Sequence, residues 1–195
     1  LAKYGETSSL GNATHSTANT YTGVTTIYAG TLAIYNAASL GSISAGTIVR
    51  GSGKLALYNN INVGSEELAL NKGTVSLSNE SGNNSWGGPI TIGQTTTINS
   101  TAGSLYLNQS VTGTNVSLAA TGLGSMTISG TLTLGTGNLT TSMGALTLAS
   151  ANNYSGTTTA TNGILTIRVQ RQGAKICIVI SDNGPGKESD LTDSG

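Results

Sequence analysis

Few residues in this 195-residue chain could take part in acid–base, nucleophilic or metal chemistry, and their spacing suits none of these. There is one histidine, His15, and one cysteine, Cys177, whereas a zinc site is built from several Cys or His ligands. Glu66 and Glu67 are adjacent. Successive side chains of a strand point to opposite faces, so this pair cannot flank one substrate as two catalytic carboxylates must. Both are expected in a solvated turn. A serine nucleophile would need His15 as its base, but His15 falls in a stretch of weak pattern where an exposed loop residue is expected. The first Asp is Asp182, which excludes the calcium-binding nonapeptide of other β-rolls, since that repeat needs an Asp in each copy. Tyr21, Tyr28 and Tyr35 recur every seven residues. Such a series could stack sugars, but packing and edge positions of one coil account for it. The expectation is therefore no catalytic residue, no metal ligand set and no cofactor.

The scaffold that must position these residues is unusual in composition. Gly 28, Ser 24, Thr 31 and Asn 18 make up 101 of the 195 residues, and only 8% are charged, against roughly 25% in ordinary soluble domains. Eight basic and eight acidic residues cancel, which leaves no electrostatic footprint for nucleic acid or an anionic membrane. The 20 Leu, 14 Ile and 8 Val can still build a core, and with zero net charge the chain falls outside the disordered class. That core must be thin, because there is no Phe and only 1 Trp. The longest aliphatic run, Ile176-Cys177-Ile178-Val179-Ile180, is far short of the roughly 20 residues of a membrane helix. Leu1-Ala2-Lys3-Tyr4-Gly5-Glu6 lacks a basic region followed by an apolar run, so no signal peptide is expected in this segment.

Repetition decides the fold class. Gly-x-apolar-x-apolar recurs along the chain, with copies beginning at Gly30, Gly53, Gly73, Gly103, Gly124, Gly130, Gly144 and Gly163. Each copy reads as a strand with two aliphatics on the inner face, preceded by a residue that tolerates a turn. Spacings near 20 with no helical periodicity leave no room for crossover helices. An all-β, right-handed parallel β-helix of six to eight coils is expected over residues 19–167, its partners being its own neighbouring coils, with self-association through the open ends. Residues 1–18 read as a degraded preceding coil.

A longer copy carries a family resemblance. Asn19-Thr20-Tyr21-Thr22-Gly23 through Gly30-Thr31-Leu32-Ala33-Ile34 aligns without gaps to Asn152-Asn153-Tyr154-Ser155-Gly156 through Gly163-Ile164-Leu165-Thr166-Ile167, with 8 identities in 16. The pattern Asn-x-Tyr-Ser/Thr-Gly, Thr-Thr, Gly-x-Leu resembles the autotransporter-associated β-strand repeat of type V secretion passenger domains, and the likeness covers about residues 19–167. Ser81 to Ile92 resembles the linking coils of that family. The resemblance implies a non-enzymatic, secreted or surface-exposed β-helical stalk, translocated through an outer-membrane barrel carried elsewhere. A glycan-binding adhesin is an alternative.

The last 28 residues differ. Eight of the 16 charges fall in residues 168–195, against six in residues 7–167, so a boundary is placed near Ile167 and the chain divides into 1–167 and 168–195. Ile164 to Val169, a turn from Gln170 to Lys175, and Ile176 to Ile180 read as an antiparallel, hairpin-like pair. Ser181-Asp182-Asn183-Gly184-Pro185-Gly186 follows. This string resembles the Asp-x-Gly-x-Gly box of histidine-kinase-type ATPase domains, which implies that Asp182 would read adenine while Gly184 and Gly186 form the nucleotide loop. Lys187 stands where that family has an apolar residue, and the Asn-bearing helix and the lid have no counterpart here. A polar turn without ligand is the expectation, and an ATP-binding kinase fragment the alternative.

Overall fold

The computed structural model describes residues 13–71, 73–167 and 178–180, and among these every regular element is a strand. The strands pair in parallel and wind as a solenoid with three faces. The first face holds β1 (Ala13–His15), β3 (Thr31–Ile34), β5 (Lys54–Leu57), β8 (Val75–Asn79), β11 (Thr96–Ser100), the leading halves of β14 (Leu118–Ile128), β16 (Leu139–Leu148) and β18 (Thr158–Ile167), and β19 (Ile178–Ile180). The second face begins later, with β6 (Asn62–Val63), β9 (Asn83–Trp86) and β12 (Ser104–Leu107), and continues through the trailing halves of β14, β16 and β18. The third face holds seven strands: β2 (Thr25–Ile27), β4 (Thr47–Arg50), β7 (Leu68–Asn71), β10 (Ile90–Ile92), β13 (Val111–Gly113), β15 (Leu132–Gly135) and β17 (Asn153–Tyr154).

One turn takes 23 residues from Thr31 to Lys54, 21 from Ile90 to Val111 and 19 from Leu139 to Thr158, which gives about seven turns, as the repeats suggest. The glycine motif, however, does not mark a single face. Its copies at Gly30, Gly53 and Gly73 lead into the first face, those at Gly103, Gly124, Gly144 and Gly163 into the second, and the copy at Gly130 into the third. The irregular intervals of 6 and 14 are thus one step to the third face and one step on to the second face of the next turn, together a turn of 20.

Alternation sends every second side chain inward, where parallel register stacks it on its counterpart in the next turn. One column on the first face runs Leu55, Leu77, Ile98, Ala120, Thr141, Ala160, and a column on the second runs Trp86, Leu107, Ile128, Leu148, Ile167. Leu55, Leu77, Ile98, Trp86, Ile128 and Leu148 are wholly buried. Towards the last turns the first column narrows to Ala120, Thr141 and Ala160, while the second keeps its bulk.

Asparagine closes the corners. The Oδ1 atoms of Asn60, Asn115 and Asn138 accept from the backbone N–H groups of Asn83 (2.8 Å), Thr136 (3.1 Å) and Thr157 (2.8 Å), each one turn further on. Asn60 and Asn115 are left-handed, at φ 57 and 55, a region Asn enters more readily than most residues. At the corner between the first and second faces, buried Asn79 donates to Ser100 Oγ (3.1 Å) and to the Ala102 carbonyl (2.7 Å), and accepts from Asn84 Nδ2. The Asn-rich composition therefore satisfies backbone and buried polar groups that turns would otherwise leave open.

The tail departs from the expected hairpin. Ile178–Ile180 pairs in parallel with Thr158–Ala160, not antiparallel with Ile164 to Val169. Ile178 is the partner of Thr158, 20 residues earlier, so β19 extends the first face beyond the change in composition at Ile167, and a tight reversal cannot produce parallel pairing. The proposed turn at residues 170–175 and the reading of residues 1–12 lie outside the described residues.

Candidate functional site

Glu66 lies at the corner between β6 and β7, and it corrects the reading of a solvated turn. It is 2% exposed, while Glu67 beside it faces solvent. The two do point to opposite sides. Three successive turns meet at Glu66. The Thr47 hydroxyl, from β4 of the preceding turn, donates to Glu66 Oε1, and the indole N–H of Trp86, from β9 of the following turn, donates to the Glu66 carbonyl at 2.8 Å. Gly88 packs so closely that a Cβ there would stand 1.9 Å from that carbonyl oxygen. Nearby, the Tyr21 hydroxyl lies 2.6 Å from Thr25 Oγ1, and Thr25 is the ladder neighbour of Thr47. Burial pushes the Glu66 carboxyl up from the usual 4.5 to about 7, and the Thr47 hydrogen bond only partly offsets it. Burial also raises the Tyr21 phenol, against the hydrogen bond with Thr25, and the Glu66 charge adds to the rise. The result is a carboxylic acid that holds its proton in weakly acidic solution, inside a wall rather than in a cleft.

His15 also differs from expectation. It is a strand residue, 8% exposed, at the head of the inward column that continues through Ile34 and Leu57. Asn19 Nδ2 lies 2.9 Å from its Nδ1, and among the described residues Nε2 has no partner. Burial, then the N-terminal charge, lowers its pKa. Among the described residues the ring is hydrogen-bonded to the Asn19 amide and not to a hydroxyl or a carboxylate.

The tyrosines do not form one ladder. Tyr21 is half-buried at its hydrogen bond, Tyr28 is exposed at the end of β2, and Tyr35 stacks on Tyr58 with ring centroids 4.5 Å apart at 11°. Tyr154 lies 2.7 Å from Thr158 Oγ1, repeating the Tyr21–Thr25 contact, so the longer sequence copy is a recurring corner. It is used at two different corners, since Thr25 is on the third face and Thr158 on the first.

Sequence reasoning missed the strip next to that stack. Lys54 Nζ reaches Glu80 Oε1 at 2.7 Å, and Thr101 Oγ1 donates to Glu80 Oε2 at 3.0 Å. Burial would raise the Glu80 carboxyl, but the hydrogen bonds from Lys54, Ser78 and Thr101 and the Lys54 charge bring it below its ordinary value. The only signal was a separation of 26 residues, slightly more than one turn, which becomes proximity once the register is known. An open groove on the outer side of the third face is lined by Gly46, Ile48, Glu67, Ala69, Pro89 and Thr91, with Glu67 its one ionisable group. Among the described residues no three His, Cys, Asp or Glu side chains gather as metal ligands. Asp182, Gly184, Gly186 and Cys177 lie outside the described residues. Comparison with protein-family models, with curated proteins and with solved structures returns no match to this chain.

Proposed function

We propose that this chain is a non-enzymatic β-solenoid stalk from a secreted or surface-exposed passenger of the autotransporter type. The observation that supports this reading is the continuity of the inward columns from turn to turn, with the Tyr–Thr contact of the Asn-x-Tyr-x-Gly copies recurring near both ends of the stack. A wall built this way adds length at about 4.8 Å per turn. Among the described residues, the ionisable side chains Glu66, His15 and the Lys54–Glu80 pair lie at separate corners and faces. The role is therefore reach and spacing. The test is location: in cells that produce the protein, antibodies against residues 19–167 should label intact cells, and protease added outside should remove the label. Labelling that requires permeabilised cells overturns the proposal.

A further inference from the structure

The corner at Glu66 holds together three turns through one side chain and its carbonyl, and that carboxyl is removed from solvent. From this clamp we infer that Glu66 is a proton-operated latch: its neutral acid closes the corner between β6 and β7, and its ionisation loosens the early turns. A neutral carboxyl accepting from Thr47 needs no counter-charge, whereas a carboxylate in the same place needs water or a cation. The groups facing it are Tyr21 from the connection before β2, itself able to become an anion, Thr47 from β4 and Trp86 from β9, neither of which titrates in the ordinary range; Glu67 on its own element faces outward. None of these supplies positive charge. The location favours a local response, because the second face starts only at β6 and the two preceding turns lack a strand there.

The sign follows from linkage. A carboxyl raised from 4.5 unfolded to about 7 folded stabilises the native state fully below about pH 4.5, and this is lost as pH rises through about 7. Between about pH 5.5 and about pH 8.5 the opening equilibrium of this corner should rise about thirtyfold. Amide hydrogen exchange on the full chain, corrected for intrinsic rates, reads this directly. The N–H groups of Thr47, Leu68 and Gly87, bonded to the carbonyls of Glu67, Pro89 and Val63, should lose protection at the higher pH. Those of Leu118 and Leu139, in later turns, should not. Glu66→Gln keeps the shape and cannot ionise, so it should abolish the difference. Should that variant fail to fold, the carboxyl-carbon NMR titration of Glu66 in the unaltered chain decides: a midpoint near 7 supports the latch. A midpoint near 4.5, or a pH effect that survives in Glu66→Gln, overturns it.

Discussion

Leu146 is wholly buried in the second-face trail of β16, between Met126 of the turn before and Leu165 of the turn after. Replacing it with alanine removes three carbon atoms, worth about 2.5 kcal/mol at ~0.8 kcal/mol per buried methylene-sized group. Its neighbours are pinned by backbone ladders on both sides and cannot collapse into the space, so a cavity contribution on the order of 1 kcal/mol adds to this. The expected loss for Leu146→Ala is about 3 to 4 kcal/mol. Leu165→Ala, in the same column but only partly buried, should cost less than half of that, and Leu123→Ala, at 91% exposed, within about 0.5 kcal/mol of nothing. Urea denaturation followed by far-UV circular dichroism measures all three, provided the slope with denaturant is unchanged. Equal losses at Leu146 and Leu123, or a loss at Leu146 below about 1 kcal/mol, would refute the stacked-column account of stability.

Other consequences can be checked with the same material. His15 has its pKa lowered by burial, so in contrast to Glu66 it contributes stability that is present above about 6.5 and is lost as pH falls through its folded value; in the Glu66→Gln background, stability should therefore rise with pH across this window, and His15→Gln should flatten it. Gly103 has φ 70, and a Cβ there would lie 2.2 Å from the Gly82 carbonyl oxygen, so Gly103→Ala should cost on the order of 2 kcal/mol or more in the same urea assay, beyond the usual glycine-to-alanine change. Calorimetry with Mg-ATP should give no binding below about millimolar and no change in Asp182→Asn, because an adenine contact of roughly 1 kcal/mol per hydrogen bond cannot offset immobilising the ligand; micromolar affinity abolished by that substitution would make the tail a working nucleotide site.

Period-two patterning over short segments, glycine at the turns and the absence of helical periodicity were enough, from sequence alone, to give a parallel all-β stack of six to eight turns. The reason is physical: an inward Leu-x-Leu or Leu-x-Ile has meaning for any strand, and a spacing near 20 allows little else to intervene. Which face each copy occupies was not legible, because a second-face strand such as Ser104–Leu107 and a first-face strand such as Lys54–Leu57 obey the same local rule, and only register across turns separates them. Asn83–Trp86 follows a glycine, Gly82, but its first inward residue is the polar Asn84, so the apolar pattern passes over it. Glu66, His15 and the Lys54–Glu80 pair show the limit most clearly. A carboxylate or imidazole in a polar stretch reads as solvated, and its burial depends on what the turns before and after bring: Thr47 and Trp86 for Glu66, the column of Ile34 for His15. The direction of β19 was decided in the same way. Ile178–Ile180 could reverse onto its neighbour or continue the winding, and it is the edge of β18, 20 residues earlier, that sets it parallel. Local sequence determines which way a side chain faces; stacking determines what it faces.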